Sequence, residues 1–227
     1  MALYITGDLH GQYDMRKLTT KYFPEGLELT KEDYVLICGD FGGVWDCGAQ
    51  DRYVQNWLGE KPWTTLFVDG NHENFDALAQ YKVEEWHGGK VQFITPSIIH
   101  LMRGQIYDIE GLSVFTMGGA TSIDKYCRVE GVDWWPQEMP SNEEYDEAFR
   151  NLDAHDNKVD LIISHAAPDQ VHDMLTFAEG SHDKLTNFLE IVRQTVEFKQ
   201  WYFGHYHRDK MLSSKYYVLY NEIHQIK

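Results

Sequence analysis

Residues 3–11 read Leu-Tyr-Ile-Thr-Gly-Asp-Leu-His-Gly, a short and mostly apolar run that ends in a turn containing glycine, an acid and a histidine. A similar order returns in residues 34–43, Tyr-Val-Leu-Ile-Cys-Gly-Asp-Phe-Gly-Gly, where the turn has glycine and an acid but no histidine. It returns with a histidine in residues 65–73, Thr-Leu-Phe-Val-Asp-Gly-Asn-His-Glu. Short apolar runs that alternate with helix-like stretches indicate an α/β fold. In such folds ligands bind beyond the carboxyl ends of the strands, which is where these polar turns lie.

Helix and strand patterns continue along the chain. Helices are predicted over residues 13–22, 49–58, 74–81, 141–155 and 183–196. The fourth helix starts with capping-box spacing, because Ser141 precedes Glu144 by three residues. Four β-rich runs, typical of an antiparallel meander, occupy residues 91–94, 98–102, 105–109 and 112–117. Later strands are predicted over residues 159–164, 201–203, 216–220 and 222–226. We expect one domain over residues 1–227, with two sheets and helices outside them.

Composition and charge narrow the class of protein. The chain has 227 residues, of which 43% are hydrophobic, so it can bury a substantial core. Its 20 basic and 36 acidic residues give a formal net charge of -16, which disfavours long nucleic acid and anionic membranes as partners. We therefore expect neither a membrane partner nor a long nucleic acid; protein partners are left open.

The expected compartment is the cytoplasm. The three cysteines, Cys38, Cys47 and Cys127, are odd in number and irregularly spaced, which indicates neither a disulfide framework nor a cysteine zinc site. The first predicted strand starts at residue 3, which leaves no room for an export signal. No apolar run reaches the roughly 20 residues of a membrane span.

Five predicted strand ends carry aspartate, asparagine or histidine. The seven candidate metal ligands are Asp8, His10, Asp40, Asn71, His165, His205 and His207. Residues two apart on an extended chain project to the same side, so Asp8 with His10, and His205 with His207, can converge on one point. Mixed carboxylate, amide and imidazole donors suit manganese, iron or zinc, and the lack of thiolates argues against a structural zinc site. Seven donors are too many for one tetrahedral ion and suit two ions.

In this order, Asp-x-His, Gly-Asp-x-x, Gly-Asn-His-Glu, a strand-ending His and Gly-His-x-His resemble the five motifs of the calcineurin-like metallophosphoesterases. The resemblance extends over residues 8–207. It implies a four-layer αββα sandwich of two mixed β-sheets flanked by helices. It also implies one metal on Asp8, His10, Asp40 and His207. A second metal is implied on Asp40, Asn71, His165 and His205, with Asp40 as the bridge.

The resemblance also implies an activity, hydrolysis of a phosphate monoester or diester by in-line attack of a metal-bound hydroxide. Asp40 and His72 are the implied catalytic residues, and His72 is the general acid for the leaving group. The implied cofactors are two divalent ions, with manganese favoured over iron or zinc. The expected substrate is a small phosphorylated molecule, a nucleotide or an oligonucleotide end.

Two segments bear on the substrate. Phosphoprotein phosphatases continue the second motif as Gly-Asp-x-x-Asp-Arg-Gly, whereas this chain has Gly43 and Val44 at the later Asp and Arg, which disfavours a protein phosphatase. Asp46 is the candidate replacement for the acid that orients His72. The second segment, residues 118–138, is similar to one in a bacterial and phage branch of the superfamily. It supplies Lys125 and Arg128 as candidate phosphate-binding cations, and two tryptophans.

Two functions from other classes stay open on the sequence. The first is a non-catalytic scaffold or interaction module that retains the fold, and the second is a metal sensor or storage protein. A scaffold is expected to lack metal ligands or the acid histidine, whereas all seven ligand positions and His72 are filled here. The presence of His72, which is not a ligand in the family, argues against a sensor.

Overall fold

The computed structural model describes residues 1–176 and 182–227, which contain two mixed β-sheets. Strands are numbered in chain order. The seven-stranded first sheet contains β1 (Leu3–Thr6), β2 (Tyr34–Ile37), β3 (Thr64–Phe67), β4 (Val83–Trp86), β5 (Gly89–Thr95), β6 (Ile98–Leu101) and β13 (Ile223–Gln225). The six-stranded second sheet contains β7 (Gln105–Ile109), β8 (Leu112–Met117), β9 (Leu161–Ser164), β10 (Gln200–Phe203), β11 (Lys210–Met211) and β12 (Tyr216–Val218).

Parallel strands form the centre of each sheet. The first sheet has the order β13-β1-β2-β3-β6-β5-β4, in which β1, β2, β3 and β6 run parallel. The second has the order β11-β12-β10-β9-β8-β7, in which β8, β9, β10 and β12 run parallel. Antiparallel strands complete both edges of each sheet. The loops after the parallel strands of a sheet therefore gather at one edge.

Helices cover the outer faces of the sheets. The described α-helices are α1 (Ala49–Gly59), α2 (Phe75–Leu78), α3 (Asn142–Ala154), α4 (Asp169–Thr176) and α5 (Lys184–Thr195). The predicted capping box is confirmed, because the Ser141 side chain accepts the Glu144 N–H while the Glu144 side chain accepts the Ser141 N–H. No described helix has the length and apolar character that crossing a bilayer requires.

Side chains alternate along the central strands and build three layers of core. In β1, Ile5 points between the two sheets, while Tyr4 packs in the core outside the first sheet. In β9, Ile163 points between the sheets, while Ile162 packs with residues of α3 and α5. Apolar residues on both faces of a strand are what a sheet covered on both sides requires. The predicted four-layer α/β sandwich of two mixed sheets is confirmed.

The helix predicted over residues 13–22 is wrong, because this stretch forms a short 3₁₀-helix at Met15–Leu18. Thr19 is extended, and its hydroxyl donates to the carbonyl oxygen of Arg16, a local hydrogen bond that competes with helix continuation. Lys17 turns inward and donates to the carbonyl oxygens of Gly7 and Tyr220.

The meander predicted over residues 91–117 is corrected in part. Its strands are antiparallel neighbours only within two pairs, β5 with β6 in the first sheet and β7 with β8 in the second. The chain changes sheets at the turn containing Gly104, where φ is 71°. A Cβ at Gly104 would lie 3.0 Å from the backbone nitrogen of Ala148 in α3. Local spacing does not reveal this crossing, because it depends on packing against a distant helix.

Ile99→Ala tests the core between the sheets. Ile99 in β6 is 3% exposed, so truncation leaves a cavity. We expect urea denaturation to show a loss of about 2 to 5 kcal/mol in the free energy of unfolding. Ile123→Ala is the matched control, since Ile123 is 88% exposed, and it should change this free energy by less than about 0.5 kcal/mol. Equal losses would contradict the layer assignment.

Candidate metal centre

Five loops bring the seven predicted ligands to one place. Asp8 and His10 follow β1, Asp40 follows β2, Asn71 follows β3, His165 follows β9, and His205 and His207 follow β10. Contacts join the two sheets: Nε2 of His207 lies 3.1 Å from Oδ2 of Asp8. Nε2 of His165 lies 3.3 Å from Oδ1 of Asp40. The cluster therefore lies where the carboxyl edges of the two sheets meet.

Four of these residues, called the first group below, can offer donor atoms to one cation. They are Asp8, His10, Asp40 and His207. One carboxylate oxygen or imidazole nitrogen from each lies within 4.8 Å of the other three. Nε2 of His10 is 3.2 Å from Oδ2 of Asp40. Two carboxylates and two imidazoles form a donor set that first-row transition ions accept.

The second group contains Asp40, Asn71, His165 and His205. Nε2 of His165 lies 3.2 Å from Oδ1 of Asn71. The Nδ1 atom of His165 is 2.7 Å from the carbonyl oxygen of Cys38, a contact that fixes the ring. The ring of His205 lies beside that of His165, with 5.1 Å between the two ring centroids. Asp40 presents Oδ1 to His165 and Oδ2 to His10, so its carboxylate faces both groups.

The backbone at the cluster is strained. Four of the seven residues are in the left-handed region: His10 (φ 46°), Asp40 (47°), His205 (68°) and His207 (48°). Such conformations cost of order 1–3 kcal/mol each and persist where the surroundings hold them, which is common at functional sites. Gly70 permits close approach, because a Cβ there would lie 2.1 Å from Oδ1 of Asp40.

Charges in the cluster oppose one another across short distances. Burial disfavours ionisation of Asp40, but the imidazoles of His165 and His10 outweigh burial and hold the pKa of this carboxyl well below its usual range. Burial lowers the pKa of His165, but Asp40 and Asp8 raise it to about 10. Burial also lowers the pKa of His10, but Asp40 and Asp8 outweigh burial and raise it to about 9. Burial and the neighbouring His165 lower the pKa of His205 to about 4. The carboxylates therefore create a local field that favours positive charge.

The donor atoms fit a divalent cation. Oδ2 of Asp8 is buried and accepts no well-aligned hydrogen bond from the described residues, although Nε2 of His207 lies 3.1 Å away and buried polar atoms normally have aligned partners. The side chains of Asp8 and Asp40 are 0% and 2% exposed, so two carboxylates lie together out of water. A cation held by the first-group donors would give the Asp8 carboxylate a further partner and would offset the buried negative charge.

His72 lies beside this cluster at the wall of a cleft. Its backbone N–H donates to Oδ1 of Asp40 over 2.7 Å, and its ring lies 5.7 Å from that of His10. The cleft has a volume of about 300 Å³. It is lined by His10, Tyr13, Gly42, Trp45, Gln50, His72 and Arg128. The cleft wall therefore contains one predicted metal ligand, His10, together with His72.

The two predicted substrate cations are placed differently. Arg128 lines the cleft with His72, and Nε and Nη2 of its guanidinium donate to Asp124 over 2.8 Å each. Nζ of Lys125 instead lies 5.9 Å from the ring centroid of Trp134. Trp135 is 3% exposed and donates to Asp76, so it packs behind the cleft.

Sequence reasoning missed Trp45, which the structure places in the cleft wall. The Trp45 ring packs edge-on against Trp135. Asp46 does not orient His72: its exposed carboxylate accepts the N–H groups of Gly48, Gln50 and Asp51 at the start of α1. An acid before a helix satisfies free N–H groups, which explains this placement.

Residues 118–138 reach the cluster through Ser122. Its buried hydroxyl accepts Nδ2–H of Asn71 over 3.1 Å, which directs Oδ1 of Asn71 toward His165. The N–H of Ser122 donates to the buried Glu138 over 3.1 Å. The sequence pointed to this segment but not to Ser122, because the contact spans 51 positions.

Buried charges attach this segment to the first sheet. Arg103, 6% exposed, donates to Asp69 over 2.8 Å and to the carbonyl oxygen of Gln137 over 2.9 Å. Nε2 of His100 lies 3.1 Å from the other Asp69 oxygen. Burial opposes ionisation of Asp69, but Arg103 and His100 lower its pKa to about 2.

Glu73 is a further buried group, which the sequence identified only as the last residue of the Gly-Asn-His-Glu motif. It accepts the N–H of Phe41 over 2.6 Å and thereby ties the loop after β3 to the loop after β2. Burial and the nearby charge of Asp40 raise its pKa to about 8.

Comparison with known proteins agrees with this geometry. A family model described as calcineurin-like phosphoesterase matches residues 1–209. The chain belongs to this family. It is also similar to the lariat debranching enzyme of Danio rerio, with 25% identity over 217 residues, and to lariat debranching enzyme A of Xenopus laevis, with 29% identity over 139 residues. These alignments cover 87% and 55% of this chain but 35% and 24% of the relatives, so the chain spans little more than a third of their length at most.

Ser122→Ala tests the support of Asn71. Without the hydroxyl, the amide is free to rotate, and we expect titration of the metal-free protein with manganese to show one ion bound about 10-fold to 100-fold more weakly. Thr121→Val is the matched control, because the Thr121 hydroxyl donates to Asp183 and not to Asn71. Wild-type affinities in Ser122→Ala would show that Ser122 does not position this ligand.

Proposed function

We propose that this chain is a binuclear metal-dependent phosphoesterase that hydrolyses a phosphate monoester or diester. The observation that carries the proposal is the first group beside a cleft whose wall includes His72. Membership in the calcineurin-like phosphoesterase family supports a metal-dependent phosphoester hydrolase. A single catalytic domain over residues 1–227 is part of the proposal, as is a cytoplasmic setting.

The proposed metal ligands are the two groups described above, with Asp40 shared between them. Manganese is the preferred ion, and iron or zinc suits the same donors. When bound, two ions would supply a nucleophile from water and would stabilise the charge that develops on the phosphoryl oxygens. Asp40 is suited to the shared position because its two oxygens face different groups.

His72 is the proposed general acid. Its backbone is held on Asp40 while its ring lies in the cleft wall, so its position follows that of the metal ligands. In this role the imidazolium gives a proton to the leaving alkoxide as the bond from phosphorus to that oxygen breaks. The imidazole is then neutral and takes a proton from water.

Arg128 is the proposed phosphate-binding side chain. Asp124 holds its guanidinium by two hydrogen bonds, so less side-chain freedom is lost when substrate binds. Lys125 is a second proposed cation, with weaker support, because Arg128 lines the cleft and Lys125 does not. The cleft of about 300 Å³ suits a small phosphorylated molecule, a nucleotide or an oligonucleotide end.

A lariat is a second candidate substrate, favoured by the similarity to two lariat debranching enzymes. The net charge of -16 argues against extended contact with a nucleic acid backbone. A branched oligonucleotide therefore belongs in the substrate panel beside nucleotides and phosphorylated metabolites. Binding with a steep salt dependence would favour the lariat over a small substrate.

Metal removal tests the proposal directly. A chelator should abolish hydrolysis of p-nitrophenyl phosphate and its bis ester, and manganese should restore it, because the nucleophile requires the ions. Asp40→Asn should lose both the ions and the activity. Asp46→Asn is the matched control, since the Asp46 carboxylate binds backbone N–H groups at α1. Two bound manganese ions with no turnover of either ester would favour the scaffold or the metal sensor instead.

His72→Ala and Arg128→Ala separate the two proposed roles. His72→Ala should lower kcat about 10²-fold to 10⁴-fold for esters with poor leaving groups, and much less for activated aryl esters that need little protonation. Arg128→Ala should chiefly raise KM for both kinds of ester, because it contacts phosphate in the bound substrate. Equal losses for both kinds of ester in His72→Ala would remove it from the acid role.

A further inference from the structure

Tyr220 stacks on His207 of the first group and reaches His10 through Asp14, although it lies outside residues 1–209, which the family model matches. It follows β12 in the second sheet, whereas His10 follows β1 in the first sheet. Its hydroxyl and its ring make separate contacts, one toward each histidine of the first group.

The hydroxyl acts on His10 through Asp14. Tyr220 donates to Oδ1 of Asp14 over 3.0 Å, and Oδ2 of Asp14 lies 2.7 Å from Nδ1 of His10. A carboxylate that accepts a hydrogen bond from Nδ1 keeps the proton on that nitrogen. The lone pair of Nε2 is then available to bind a metal ion. That Nε2 is the nitrogen 3.2 Å from Asp40.

The ring acts on His207 by stacking. The two ring centroids are 4.7 Å apart with an angle of 13° between the planes. The His207 side chain is 50% exposed, so few buried contacts restrict its rotation, and the stacked ring supplies one. Its Nε2 lies 3.1 Å from the buried Oδ2 of Asp8.

The main chain at Tyr220 is held independently of its side chain. Lys17 donates to the Tyr220 carbonyl oxygen over 2.5 Å. Oδ1 of Asp209 accepts the N–H groups of Tyr220, Asn221 and Glu222 over 2.7 to 2.9 Å. Substitution of the side chain therefore leaves the segment in place.

We propose that Tyr220 is a positioning residue for the first metal, one that sets the orientation of His10 and of His207 together. The proposal rests on the metal centre of the proposed function. It gives the loop after β12 a role at the first group, whereas Ser122 supports Asn71 in the second group.

Manganese titration of the metal-free variants tests this role, with free ion followed by electron paramagnetic resonance. Tyr220→Leu removes both contacts and should weaken one ion about 10-fold to 100-fold. Tyr220→Phe keeps the stacked ring and should weaken the same ion by less. Tyr217→Phe is the matched control, because Tyr217 lies in β12, stacks on Tyr202 and donates to Ser214, away from the first group.

The double variant Tyr220→Leu/Ser122→Ala identifies the affected ion. Both ions should bind weakly in it, because each substitution acts on a different group. One ion bound with wild-type affinity would mean that both substitutions act on the same site and would overturn the proposal. Wild-type binding of both ions in Tyr220→Leu, or no manganese binding by the wild-type protein, would overturn it as well.

Assays of the same proteins separate this inference from the proposed function. Two manganese ions in the wild type, one weakened in Tyr220→Leu, and no ester hydrolysed by either protein would uphold the positioning role and reject the phosphoesterase. Ester hydrolysis together with unchanged metal affinities in Tyr220→Leu would uphold the phosphoesterase and reject the positioning role.

Discussion

The buried carboxylate of Asp40 is the constraint on which the rest of the site depends. It is 2% exposed and contacts His10 on one side and His165 on the other, so its charge has to be balanced inside the protein. The close approach of Gly70 and the N–H of His72 follow from the same carboxylate. Because β1, β2 and β9 lie in two different sheets, this balance also joins the sheets at their carboxyl edges.

The sequence predicted those features that depend on local pattern. Strand ends such as Gly39-Asp40 and Gly204-His205 were visible because a buried apolar run stops at a turn, and the capping box at Ser141 was visible from its spacing. The short 3₁₀-helix at Met15–Leu18 was not visible from the sequence. In this stretch Lys17 turns inward to donate to distant carbonyl oxygens, one of them that of Tyr220, 203 positions away. Trp45 and Ser122 were missed for the same reason: their roles arise from contacts that only the folded chain creates.

Although the chain is acidic overall, the acids at and near the site have basic partners. Imidazoles surround Asp40, Arg103 pairs with Asp69, and Arg128 pairs with Asp124 beside the cleft. The net charge of -16 is therefore compatible with the proposed phosphate binding at one place, because the proposed ions and one guanidinium would concentrate positive charge there. In the proposed function, recognition of an ester depends on the metal centre and a short cleft wall, not on a broad basic surface.

Anomalous diffraction from crystals grown with manganese tests the central claim most directly, because it locates each ion without reference to activity. The account predicts two peaks about 3.5–4 Å apart, both in contact with Asp40, one among Asp8, His10 and His207 and the other beside Asn71, His165 and His205. A single peak, or peaks that do not contact Asp40 at saturating manganese, would contradict it.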